Sequence, residues 1–219
     1  MTIKGIIFDM DGIITDSEVA AKRIMQEILK QHNLPYSDEV YLPLLGINHQ
    51  QAIDYFNTFT KNEKQTRDIL NEFSQRIIDE LSQGKIPFKK GAIELIDALN
   101  KKQFPIALAT SAERRKVKVS FNGNGIPVPF EHIISGDMVT RSKPDPQIFL
   151  LAAQSLQQDI KHCLVIEDSY NGIKAAISAN AIACMVPDIL DPTEEIKKQA
   201  IIKKDLFEVK NMLEQLAIL

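Results

Sequence analysis

Ile6-Ile7-Phe8-Asp9-Met10-Asp11-Gly12, followed by Asp16-Ser17, is the stretch that decides how this chain is read. A short apolar run, of the kind that forms a buried strand, closes on two carboxylates two residues apart. Extended residues i and i+2 face the same side, so Asp9 and Asp11 converge on one spot. Like charges repel there, and a site that holds both supplies a cation or a shared proton. Gly12 lets the chain turn away sharply. The pattern suits a nucleophilic carboxylate beside a proton-transfer carboxylate, both next to a divalent metal. An acidic turn capping a helix is the plainer alternative. A calcium loop is excluded, because it needs a Glu at its twelfth position and that position, counted from Asp9, is Ala20.

The composition is that of an ordinary soluble protein large enough for a core plus a smaller second unit. The chain has 219 residues, 44% of them hydrophobic and 25% charged. Its 26 basic and 29 acidic residues are interspersed and leave a net charge of −3. That balance gives no electrostatic case for nucleic acid or an anionic membrane as partner. Asp9 cuts short the N-terminal apolar stretch, so a signal peptide is not expected. No apolar run is long enough to span a bilayer. Cys163 and Cys184 lie in apolar contexts and read as buried free thiols of a reducing compartment, which makes the expected location cytoplasmic. The oligomeric state is not readable, with a monomer preferred.

Outward from the first run, short apolar stretches alternate with helical patterns. Residues 3–8, 106–109, 133–134, 163–166 and 183–186 read as strands covered on both faces. Residues 92–99, 148–156 and 173–179 carry apolar residues at helical spacing. The alternation predicts an α/β fold with a doubly wound parallel sheet. Residues 18–88 are different, with amphipathic helical patterns and no strand. The expected division is an α/β core of residues 1–16 and 89–219 with a helical cap of residues 17–88 inserted after the first strand. The run from Ser120 to Pro129, with Gly123, Gly125 and two prolines, reads as a connecting loop.

In a parallel sheet, ligands bind beyond the carboxyl ends of the strands. The expected strands end at Asp9-x-Asp11, at Thr110-Ser111 and at Glu167-Asp168, and Lys143 follows the third. Each alone has an ordinary explanation as a cap or a solvated loop residue. Together they place complementary polar groups on one edge.

These residues together resemble the haloacid dehalogenase-like superfamily of phosphotransferases. Asp9-Met10-Asp11-Gly12 is similar to its first motif, Thr110 to its second, Lys143 in Ser142-Lys143-Pro144-Asp145-Pro146 to its third, and Glu167-Asp168 to its fourth. The helical insert resembles the cap of the β-phosphoglucomutase and sugar-phosphate phosphatase branch. The resemblance implies Asp9 as nucleophile and Asp11 as general acid and base, with the Asp11 pKa raised by its carboxylate neighbours. It implies Mg2+ at Asp9, the Asp11 backbone carbonyl and Asp168, with Glu167 orienting a bound water. Thr110 and Lys143 would hold the phosphoryl oxygens.

The expected activity is a magnesium-dependent phosphatase for a small phosphorylated metabolite, of sugar-phosphate type. A phosphosugar mutase is the alternative. The family's mutases carry a His where this chain has Ala20 and an Arg in the cap loop where this chain has His49, and His cannot make the Arg fork to phosphate. Ser111, Glu18 and His49 are the candidates for substrate contact. Dehalogenase chemistry does not use the second Asp in this way, and a non-catalytic binding domain would be free to lose Asp9, Asp11, Lys143 or Asp168.

Overall fold

The computed structural model describes residues 2–45, 47 and 49–219, the side chain of His49 excepted. Its centre is a six-stranded sheet in the order β3-β2-β1-β4-β5-β6. The strands are β1 (Gly5–Phe8), β2 (Ile106–Ala109), β3 (His132–Ile134), β4 (Cys163–Glu167), β5 (Ile182–Met185) and β6 (Ile201–Ile202). All pair in parallel. β1, β2 and β4 are buried along their whole length, which is why they read as unbroken apolar runs. The short β6 was not foreseen. Ile201 and Ile202 are only half-buried and lack a readable period.

The helices follow in chain order: α1 (Ser17–Gln31), α2 (Asp38–Tyr41), α3 (His49–Thr60), α4 (Glu63–Ser82), α5 (Ala92–Lys101), α6 (Arg114–Gly123), α7 (Gln147–Ser155), α8 (Tyr170–Ser178), α9 (Glu194–Gln199) and α10 (Leu206–Gln215). The sheet sorts its side chains by alternation. Ile6 and Phe8 join Leu95, Val117, Phe121 and Val209 on one face, under α5, α6 and α10. Ile7 joins Phe149, Ile173 and Ile196 on the other, under α7, α8 and α9.

Between β1 and β2 the chain folds on itself. Ile24, Ile28, Phe56, Ile69 and Leu81 form a third apolar cluster from α1, α3 and α4. Each such side chain contributes roughly 1.5–3 kcal/mol by leaving water. The two crossings into this helical layer are tied together. Asp16 N–H donates to Pro87 O at 2.9 Å, and Lys89 N–H donates to Ile14 O at 2.8 Å. Lys89 Nζ reaches Asp188 at 2.6 Å and Asp16 at 3.4 Å.

The expectation of a loop from Ser120 needs correcting, since α6 continues to Gly123. The glycine has a packing reason. A Cβ there would lie 1.8 Å from Leu81 O, so its absence lets α6 touch the end of α4. Both cysteines are free and buried. Among the described residues, no helix is long and apolar enough to cross a membrane.

Candidate active site

The parallel sheet delivers the sequence-predicted residues to one edge. β1 lies between β2 and β4, so Asp9, Thr110 and Glu167 leave three neighbouring strands side by side. Asp9 N–H donates to Ile166 O at 3.0 Å, and Thr110 N–H donates to Ile134 O at 3.0 Å.

Lys143 comes from the loop after β3 and is 2% exposed. Its ammonium donates to Asp9 Oδ1 at 2.5 Å and to Glu167 Oε1 at 2.7 Å, and sits 5.0 Å from the centre of the Phe149 ring. Burial pulls its pKa down, but the carboxylates of Asp9 and Glu167 outweigh that and hold it above the usual lysine range. Burial pushes Asp9 up to about 7. Lys143 opposes the rise, and the Glu167 and Asp11 charges add to it.

Glu167 has both oxygens engaged. Its Oε2 accepts from Ser169 N–H at 2.7 Å and Ser169 Oγ at 2.9 Å. Ser169 in turn caps α8, its Oγ accepting from Gly172 N–H at 3.0 Å. A Cβ on Gly172 would lie 1.7 Å from Glu167 Oε1, so only glycine admits this carboxylate.

Asp168 is in a different position. Among the described residues no ammonium or guanidinium pairs with it. Burial and the carboxylates of Glu167 and Asp9 push its pKa well above the usual range. Asp9, Glu167 and Asp168 each offer an oxygen within 4.8 Å of the others. An all-oxygen donor set with one uncompensated carboxylate suits a hard divalent cation such as magnesium. Gly12, at φ +76°, makes room for it, since a Cβ there would lie 2.2 Å from Asp168 Oδ2.

Asp11 does not follow expectation. Its carboxylate accepts from Lys116 Nζ at 2.8 and 2.9 Å and from Ser17 Oγ at 2.6 Å. Burial pushes its pKa up, but Lys116 and Ser17 overcome that and hold it below the usual carboxylate range. Neighbouring acids therefore do not raise it. Sequence reasoning missed Lys116, because nothing separates it from Arg114, Arg115 and Lys118 along the charged face of α6.

Thr110 is buried, and its Oγ1 accepts from Ala112 N–H at 3.1 Å, which leaves the hydroxyl proton to donate. Ser111 lines the same cavity, of about 430 Å³, which lies between the strand ends and the helical layer. Glu18, at the start of α1, accepts from Tyr41 O–H at 2.9 Å and is pushed up to about 7, by burial first and the Asp11 charge second. Tyr41 is a second residue the sequence did not single out. The His49 side chain, and Gly46 and Asn48 of the same loop, lie outside the described residues.

The profile of haloacid dehalogenase-like hydrolases matches residues 6–186. Hexitol phosphatase A of Escherichia coli is 32% identical over 180 residues, 82% of this chain and 81% of that protein. The phosphorylated carbohydrates phosphatase of Thermotoga maritima is 26% identical over 81% of this chain and 82% of its own length. The solved structure of CbbY from Rhodobacter sphaeroides in complex with phosphate superposes with a TM-score of 0.79 at 25% identity, covering 95% of this chain and 96% of that one.

Proposed function

Because the chain belongs to the haloacid dehalogenase-like hydrolases, we propose that it is a magnesium-dependent phosphatase that cleaves a small sugar-like phosphomonoester through an aspartyl-phosphate on Asp9. The observation that carries this reading is the buried Lys143 bridging Asp9 and Glu167, with the unpaired Asp168 beside them. Two relatives named for hexitol and for phosphorylated carbohydrates support the substrate class.

Asp9, Asp168 and the Asp11 backbone carbonyl would hold the ion. Glu167 has its oxygens committed to Lys143 and Ser169, so it orients rather than binds. When bound, magnesium neutralises phosphoryl charge and offsets the repulsion between these acids.

An Asp9 oxygen attacks phosphorus, and the bond to the alcohol oxygen breaks. Asp11 gives its proton to the departing alkoxide. As a carboxylate it then takes a proton from water, whose oxygen attacks phosphorus and frees Asp9 and phosphate. The first step requires Asp11 to be protonated, and so requires Lys116 to leave its carboxylate. Lys143 and the Thr110 hydroxyl stabilise the phosphoryl oxygens. Residues 17–88 act as a cap that limits water at the site.

The test is magnesium-dependent phosphate release from a panel of sugar and sugar-alcohol phosphates, with Asp9→Asn as control. Release that disappears in EDTA and in the variant supports the reading. Glucose 6-phosphate formed from β-glucose 1-phosphate, with little free phosphate, points to a mutase instead.

A further inference from the structure

Among the described residues, a second cavity of about 420 Å³ shares no lining residue with the first. The turn after β1 separates the two. Asp9 and Asp11 line the active-site cavity, and Gly12 and Ile13 line this one. The rest of its wall comes from both crossings into the helical layer, at Asp16 and at residues 87–90, and from the core loops at residues 186–187 and 204–206. A molecule seated there touches the hinge and the far end of the catalytic turn at once.

The wall carries three lysines against two aspartates. The aspartates are occupied. Asp16 Oδ1 faces Lys89 Nζ at 3.4 Å, and Asp205 Oδ1 accepts Glu208 N–H at 2.9 Å as the cap of α10. Lys89 is itself held by Asp188 at 2.6 Å. Lys90 and Lys204 differ, since among the described residues neither ammonium pairs with a carboxylate. The remaining lining is apolar and includes Ile13, Phe88, Val186 and Leu206. Phe88 is backed by Phe121, their ring centroids 5.0 Å apart, which fixes this wall in place. Two uncompensated ammonium groups beside an apolar wall suit an oxyanion carried on an apolar body. A bare inorganic anion would leave the wall uncovered, and a neutral apolar molecule would leave the lysines unmatched.

We propose that this cavity is a second ligand site, for a compact organic anion with an apolar body, and that its occupant restrains the helical layer and so slows turnover. Any swing of residues 17–88 changes the backbone at Asp16 and Phe88. A ligand packed between these crossings and the core loops favours the hinge angle it fits and disfavours the others. The effect on turnover rests on the phosphatase reading; the binding does not.

Naphthalene-2-sulfonate is the probe, and methanesulfonate presents the same head without the body. Calorimetry measures both on the whole protein without magnesium, and p-nitrophenyl phosphate turnover is followed with magnesium at rising probe concentration. The expected result is one naphthalenesulfonate per chain, with methanesulfonate at least about tenfold weaker. At saturating probe, kcat falls about fivefold and KM changes little. The double variant Lys90→Glu/Lys204→Glu reverses two exposed charges. It keeps the parent kcat and Tm and binds the probe about tenfold or more weakly. Absence of binding, methanesulfonate bound as tightly, or equal affinity in the double variant overturns the site. An effect on KM alone assigns the probe to the active-site cavity and overturns it too, and binding with kcat unchanged overturns the coupling. If p-nitrophenyl phosphate is left intact, the phosphatase reading falls and the coupling with it, while calorimetry still decides the site.

Discussion

Lys116 Nζ lies 2.8 and 2.9 Å from the two carboxylate oxygens of Asp11, joining α6 to the turn after β1. The pair is only partly exposed, so its attraction is less screened than that of a surface ion pair. It keeps Asp11 ionised, which favours its service as a base and opposes its service as an acid. Lys116→Met removes that bias and raises the Asp11 pKa. The expected outcome is that kcat/KM for an alkyl phosphate, whose alkoxide needs a proton, persists to higher pH than in the parent protein. For p-nitrophenyl phosphate, whose leaving group needs none, the profile moves little. Parallel pH–rate profiles on the two substrates check this.

Glu18 predicts a stability effect of definite sign. Its folded pKa of about 7 is above the ordinary 4.5. The unfolded chain therefore releases this proton at lower pH than the folded one does. The group's stabilising contribution is complete below about pH 4.5 and is lost as pH rises through 7. Glu18→Gln, which stays neutral, should melt close to the parent at pH 5 and higher than it at pH 8. Thermal unfolding in EDTA at both pH values measures the difference.

Gly12 combines a left-handed φ with the close approach of Asp168. Gly12→Ala strains the backbone by about 1–2 kcal/mol and pushes the Asp168 carboxylate away. A modest fall in Tm should come with a much larger rise, roughly tenfold or more, in the magnesium concentration needed for half-maximal activity. A magnesium titration of activity, set beside the melting curve, separates the two effects.

Lys143→Met leaves two buried carboxylates without their counter-charge. The cost is about 3–5 kcal/mol where both acids are ionised. Asp9, already pushed up to about 7, then lies higher still, so the loss deepens as pH rises. Denaturant unfolding at pH 6 and pH 8 should show the larger deficit at pH 8.

The parts of this molecule that could be read in advance are those where one physical cause dominates. β1, β2 and β4 were legible because burial on both faces leaves unbroken apolar runs. Once those strands were parallel, their polar ends had to share an edge, and that brings Lys143 to Asp9 across 134 residues of chain. What escaped depends on a single tertiary contact. β6 is two half-buried isoleucines at the sheet margin. α6 carries basic residues on its open face and ends on Gly123, a glycine that serves contact with α4. The state of Asp11 is decided by Lys116, 105 residues away, and no local pattern announces such a partner.

The most direct measurement is an acid quench of the working enzyme with magnesium and a cleaved phosphomonoester, followed by mass spectrometry of the peptide that contains Asp9. The account predicts a transient fraction of that peptide heavier by one phosphoryl group, located on Asp9 and absent from Asp9→Asn. Phosphate release at the parent rate from Asp9→Asn, or a phosphoryl group trapped on another residue, would contradict it.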